Sequence, residues 1–294
     1  MRRHHPLLGI ALMVSAMLIF PYLDVCAKFL GQWGLPVIEI VWARLFFGMI
    51  VTAPILVAQE GFASLKPRDA RINALRGFML VISTMMFFGA LKFLGVAETL
   101  SIYFVQPLFI TALAPWVLKE KVGLNRWAAV AAGFIGVLII IRPGFMQLNP
   151  GVFLALGSGF GSAITLLLTR KLAGNSSAIA NTFYTSLFGS IFAGIILIPF
   201  WQTPSFHEFL VMLVMSVIGT TANFLTVLAM QFAEASLLAP FGYTEMINAV
   251  LGGWIFFGDF PDHWTFVGVA VLVSCALYIS YRERNMTSAP EQIT

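Results

Sequence analysis

Trp116-Val117-Leu118-Lys119-Glu120 recurs 138 residues later as Trp254-Ile255-Phe256, followed after one residue by Gly258-Asp259. In both copies an apolar run that opens on a tryptophan breaks into charge. On either side, Ala90-Leu91-Lys92-Phe93 recurs as Ala229-Met230-Gln231-Phe232, and Trp127 as Trp264. Near the start of each copy, Gly9 and Lys28 match Gly151 and Arg170. The offsets drift only from 142 to 137, and the order is kept. The chain therefore reads as two related halves, 1–145 and 146–284, followed by a polar tail, 285–294, expected to be disordered.

Each half reads as five apolar stretches of about 20 residues, the length a helix needs to cross a bilayer core of roughly 30 Å. The expected spans are 8–29, 35–57, 77–95, 97–118 and 127–141, then 151–169, 178–200, 208–230, 235–257 and 264–281. An odd number of spans per half turns the second copy upside down relative to the first. The fold class is thus an all-α integral membrane protein of ten helices in two inverted five-helix repeats. The loop charges agree. The loop after the fourth span is basic (Lys119, Lys121, Arg126), whereas its counterpart after the ninth is acidic (Asp259, Asp262). Opposite character is what opposite sides of the membrane require.

The basic residues also set the orientation. Thirteen of the 17 Lys and Arg fall on the side of the termini: Arg2, Arg3, Lys66, Arg68, Arg71, Arg76, Lys119, Lys121, Arg126, Arg170, Lys171, Arg282 and Arg284. Short cytoplasmic loops carry excess Lys and Arg, so both termini are expected in the cytoplasm, with the chain in the inner membrane. Only 10% of residues are charged and 59% are hydrophobic. The net charge of +4 is explained by orientation, which argues against nucleic acid as a partner. The basic start followed by an apolar run is read as a retained first helix rather than a cleaved signal, because the run lacks a small-x-small site.

Several chemistries find no support. Cys26 and Cys275 both fall inside spans, and the four histidines form no ligand pair, so no metal or cofactor is expected. No Walker A pattern, His-Glu-x-x-His or Gly-x-Ser-x-Gly occurs. Inverted repeats mark secondary transporters, with the substrate site near midplane between the repeats. The classes compared are such a transporter, with a small-molecule substrate in a lipid bilayer, and a membrane-embedded enzyme or receptor. A homodimer is compatible with either.

The chain resembles the EamA-type branch of the drug/metabolite transporter superfamily over roughly 7–283. The resemblance is carried by Phe20-Pro21-Tyr22-Leu23-Asp24-Val25-Cys26-Ala27-Lys28, by Pro36-Val37-Ile38-Glu39-Ile40-Val41-Trp42-Ala43-Arg44, and by Gln106-Pro107-Leu108-Phe109 leading to Leu118-Lys119-Glu120-Lys121. Asp-x3-Lys with Glu-x4-Arg is similar to the sub-branch that includes S-adenosylmethionine and riboflavin importers. The resemblance implies uptake of a planar, cofactor- or vitamin-like solute; export of amino acids or related metabolites is the alternative.

Charges inside spans need a partner or a function, because one at mid-bilayer costs about 2.5–3.5 kcal/mol on insertion scales. Asp24 and Lys28 are four apart on one helical face and read as a local ion pair, with solute contact as the other reading. Arg44 is too deep to snorkel and is paired with Asp24 or an anion. Lys92 and Glu98 read as interface anchors. Glu245 lies near midplane of the ninth span with Tyr243 beside it and Asn248 three positions on; Tyr103 and Gln106 occupy similar depth in the fourth span. Glu245 is expected to face the cavity and exchange a proton or meet a cationic group, with a buried structural hydrogen bond as the other reading. Asn223, Ser83 and Thr84 are candidates to complete the lining, and Trp42 to stack on a planar solute. The run Gly157-Ser158-Gly159-Phe160-Gly161-Ser162-Ala163 reads as a close-packing surface, with a flexing point for alternating access as the other reading.

Overall fold

A backbone in hydrocarbon has no water to bond, so a chain this apolar closes its hydrogen bonds within helices. The computed structural model describes residues 6–67, 69–117, 124–141, 149–172, 177–232, 238, 241 and 244–287, and no strand occurs among the described residues. The helices are α1 (Pro6–Gln32), α2 (Val37–Glu60), α3 (Ala70–Ala90), α4 (Val96–Tyr103), α5 (Gln106–Val117) and α6 (Leu124–Ile141). They are followed by α7 (Pro150–Lys171), α8 (Ala178–Leu197), α9 (Phe206–Phe232), α10 (Thr244–Phe257) and α11 (His263–Thr287). Among the described residues, seven helical stretches are long and apolar enough to cross a membrane, one of them α4 and α5 taken together. Three shorter apolar stretches lie in α6, α10 and α11. The outer faces carry Phe153, Ile195, Val217, Ile247 and Ile255, all exposed. That much exposed apolar surface suits lipid rather than water.

Local chemistry sets the helix ends. Ser177 accepts from Ala180 N at 3.1 Å and caps α8, and Asp262 accepts from Thr265 N at 2.8 Å and caps α11. Before α9, Ser205 and Glu208 bond reciprocally as a capping box. Gly34 and Gly258 both adopt positive φ, which a side chain resists. Each follows a helix end closed by a bond reaching back past the last turn: Leu35 N to Leu30 O at 3.2 Å, five residues back, and Asp259 N to Gly253 O at 3.1 Å, six residues back.

The helices pair across the two halves. α1 packs on α9 and α10, and α7 packs in the equivalent way on α3 and on α4 with α5. α2 meets α8 and α9, α8 in turn meets α3, and α6 meets α11. Exchanging α1–α6 with α7–α11 returns the same set of pairings. Small residues allow these contacts, since lipid gives no hydrophobic push between helices. A Cβ added to Gly77 would lie 2.7 Å from the backbone nitrogen of Gly189, so α3 and α8 approach there backbone to backbone. Arg76, expected among the loop cations, is instead buried beside that contact. It donates to Asn73 Oδ1 at 3.0 Å, to Asn181 Oδ1 at 3.1 Å and to Thr185 Oγ1 at 2.6 Å.

The fourth span was expected to be continuous over 97–118, but it is broken. α4 ends at Tyr103, Phe104 and Val105 form a turn, and α5 starts at Gln106. The cause is Pro107, which has no N–H for the carbonyl of Tyr103 and whose ring crowds the preceding turn. α7 fits closely against the break: a Cβ on Gly159 would lie 3.2 Å from Tyr103 O.

Candidate functional site

The break places two polar side chains where α7 can hold them. Tyr103 Oη and Ser162 Oγ are 2.7 Å apart, and Gln106 Nε2 donates to the same Ser162 Oγ at 2.8 Å. One hydroxyl of α7 therefore joins both sides of the interruption. A turn lower, Ser83 of α3 donates to Ser158 O at 2.8 Å. Non-helical backbone at membrane depth is tolerated where protein or a cavity satisfies it.

Beside this junction is a cavity of about 90 Å³. Asp24 of α1, Arg44 of α2 and Glu245 of α10 all line it. Ser83 and Thr84 of α3, Tyr103 of α4 and Ser158 and Ser162 of α7 complete its polar wall; Phe20, Leu23, Leu80, Phe87 and Leu100 supply the apolar part. Both halves thus contribute. Asp24 is only 5% exposed. No ion pair within 4.0 Å joins Asp24, Arg44 and Glu245, so the three share a cavity without closing on one another. Arg44 lies over the Phe88 ring at 5.9 Å, a cation–π contact. Two carboxylates face one guanidinium. With all three ionised the cavity carries one excess negative charge, which a proton or a cationic group on a solute would balance.

Of the candidates, Asp24, Arg44, Tyr103 and Glu245 line this one cavity, with Ser83 and Thr84. Gln106 joins through Ser162. The remaining candidates are placed differently. Trp42 stacks on Phe46 at 4.7 Å and meets Trp201 edge-on at 5.7 Å, away from the cavity wall. Asn248 donates to Leu18 O of α1 at 2.5 Å and ties α10 to α1. Asn223 is exposed on α9. Tyr243 lies outside the described residues. The serines at 158 and 162 are the pair that sequence reading passed over as packing. Their i, i+4 spacing puts both hydroxyls on one face, and that spacing was the available signal.

The expected Asp24–Lys28 pair does not form. Lys28 Nζ bonds Asp259 Oδ2 at 2.5 Å and Leu94 O at 3.3 Å, and sits 4.7 Å from the centroid of Phe257. Glu39 is buried too; one oxygen accepts from Gln202 N at 3.2 Å and the other has no partner. Asp24, Lys28, Glu39 and Arg44, four charges that the sequence would group on facing surfaces of the first two spans, are therefore divided among three places. Lys28 and Asp259, with Lys92, line a second cavity of about 440 Å³ at the end of the bundle where α1 meets α2.

Comparison with known proteins gives the fold and site a context. The model of the EamA-like transporter family matches twice, over residues 7–142 and 149–281. The S-adenosylmethionine uptake transporter of Rickettsia prowazekii (strain Madrid E) is 26% identical over 269 residues, covering 92% of this chain and 91% of that protein. The riboflavin transporter of Vibrio cholerae serotype O1 is 29% identical over 294 residues, covering 97% and 99%. A crystal structure superposes with a TM-score of 0.66 at 15% identity, over 95% of this chain and 99% of that one, a likeness of fold alone.

Proposed function

Because this chain belongs to the EamA-like transporter family, whose members move solutes rather than transform them, we propose that it is a secondary transporter. It takes up a small organic metabolite by alternating access, with no nucleotide drive. The observation that carries the reading is the shared cavity: Asp24 and Arg44 from the first half meet Glu245 from the second, unpaired, with hydroxyls around them. A transporter site is expected near midplane between repeats, beside a discontinuous helix, and the α4–α5 break flanks this cavity. The matching helix pairings on exchange of the halves support ten spans in two inverted repeats, divided near residue 145. The orientation expected from the Lys and Arg residues, with both termini cytoplasmic in the inner membrane, belongs to the same reading.

The solute class follows from the wall. Two carboxylates and a guanidinium suit a molecule carrying both charge types or a cation, and Tyr103 offers an aromatic edge. Relatives named for uptake of S-adenosylmethionine and of riboflavin lead us to prefer a planar cofactor- or vitamin-like solute over export of amino acids. At about 90 Å³ the cavity holds roughly three waters at liquid volume. Ligand pockets run from about 300 to 1,000 Å³. The described state is therefore contracted, and the cavity widens to receive its solute. Glu245 is the coupling residue, binding a proton or the cationic group of the solute.

The test is a thermal-shift screen of purified protein against riboflavin, S-adenosylmethionine and amino acids, followed by uptake of any hit into proteoliposomes without ATP. A ligand that prefers the folded state raises the melting temperature. We expect a shift with one of the first two and nucleotide-independent uptake of it. A solute that stabilises the protein yet never crosses would refute transport.

A further inference from the structure

The described state contains a cavity large enough for a metabolite and one too small, with a thin wall between them. The vestibule of about 440 Å³ is lined by Ala27, Lys28, Ile40, Phe88 and Leu91; the central cavity of about 90 Å³ is lined by Leu23, Asp24, Phe87 and Leu100. Along α1 the two are one turn apart, from Asp24 to Lys28, a rise of roughly 6 Å. Ala27, Ile40, Phe88 and Leu91 on one side and Leu23, Phe87 and Leu100 on the other belong to one buried apolar cluster, which forms the septum.

Above that septum Lys28 joins four pieces of chain. It comes from α1, bonds the carbonyl of Leu94 between α3 and α4, lies over Phe257 at the end of α10, and pairs with Asp259 of the α10–α11 connection. The first two belong to the first half and the last two to the second. Asp259 is aimed there by the positive-φ Gly258 and held by its backbone bond to Gly253. It also packs against Gly95, where a Cβ would come within 3.3 Å of Asp259 Cβ and 3.5 Å of its Oδ2. The Lys28 ammonium has three acceptors for three protons: a carboxylate, a carbonyl and a ring face. Lys28 is therefore fully engaged within the protein. Pro21 interrupts the hydrogen-bond ladder of α1 below Asp24, leaving the segment that bears Lys28 less firmly tied to the rest of the helix.

We propose that Lys28 and Asp259 form the latch of the gate on this side: their ion pair clamps the two halves over the septum, and its rupture joins the vestibule to the central cavity. This inference rests on the transporter reading. A carboxylate with 40% of its side chain accessible can be released to water without becoming a buried charge, as a reversible latch requires.

The test reads access, not transport. In a background with Cys26 and Cys275 replaced by Ala, Thr84→Cys places the sole thiol in the central cavity. A membrane-impermeant maleimide is applied to proteoliposomes from the vestibule side. With the latch intact, labelling is slow. Asp259→Asn and Lys28→Met each speed it at least tenfold, and the exchanged pair Lys28→Asp with Asp259→Lys returns it toward the slow rate. Gly95→Val, which crowds Asp259 without touching either charge, speeds it as well. Size-exclusion profiles in detergent show which variants are folded, and Asp259→Asn, altering a half-exposed side chain, decides if Lys28→Met is not. Labelling of Asp259→Asn at the parent rate, or an exchanged pair as fast as the single variants, overturns the latch. The assay needs no solute, so latch-dependent labelling without any flux would instead sink the transporter reading.

Discussion

Removing one oxygen atom, in Ser162→Ala, should loosen the break in the fourth span more than any other small change. Ser162 Oγ is the common partner of Tyr103 at 2.7 Å and Gln106 at 2.8 Å, so both bonds are lost together. An interhelical hydrogen bond in a membrane contributes on average about 0.6 kcal/mol and at most about 1.7. Two of them amount to about 1.2–3.4 kcal/mol, and at about 1.4 kcal/mol per tenfold the docked state of the junction is weakened roughly 8- to 300-fold. Hydrogen exchange reads this directly. The amides of Phe104, Val105, Leu108 and Phe109, which bond within the turn and across it, should exchange faster by that factor. Tyr103→Phe, losing one bond, should show about half the free-energy effect. Ser83→Ala removes a different bond from α3 to α7, at no break, and should leave these amides unchanged while lowering overall stability. Parent-like exchange at 104–109 in Ser162→Ala would refute the idea that α7 holds the junction through this hydroxyl.

Other outcomes follow from the same geometry. Arg44→Met and Asp24→Asn should each impair uptake, and because they line one cavity their double variant should be milder than the sum by about 0.5–3 kcal/mol; simple additivity of the two would separate them. Gly77→Ala should drive α3 from α8 and cost about 1–3 kcal/mol by overpacking, seen as a lower thermal midpoint; an unchanged midpoint would mean that contact is looser than described. Trp42→Phe should leave solute affinity unaltered, since Trp42 packs on Phe46 and Trp201; a tenfold weaker thermal-shift titration would return it to the site.

What the sequence revealed and what it hid divide along one physical line. Depth in the membrane is a matter of counting along an apolar run. Tyr103, Gln106 and Glu245 were therefore legible as residues at a shared level, whereas the cavity that holds Tyr103 and Glu245 also takes in Asp24 and Arg44, which the sequence suggested as a pair with each other. Partners across helices depend on how helices pack, and local spacing is silent about that. Lys28 sits four residues from Asp24 and bonds Asp259, 231 residues away. Arg76 read as a loop cation, yet Asn181 and Thr185 of α8 hold it between helices. Pro107 stood in view as a helix breaker, but the apolar run passes through it, and apolarity dominated the reading of the span.

The account turns on Glu245, and one comparison in proteoliposomes tests it most directly. Uptake driven by an imposed pH gradient and solute exchange without a gradient are measured for the parent and for Glu245→Gln, using the solute identified by thermal shift. The account predicts that gradient-driven uptake is abolished, while exchange survives if Glu245 carries the proton and fails together with binding if it meets the solute. Glu245→Gln protein with parent-like uptake and exchange at every pH tested would contradict it, leaving Glu245 a structural residue and the shared cavity without its role.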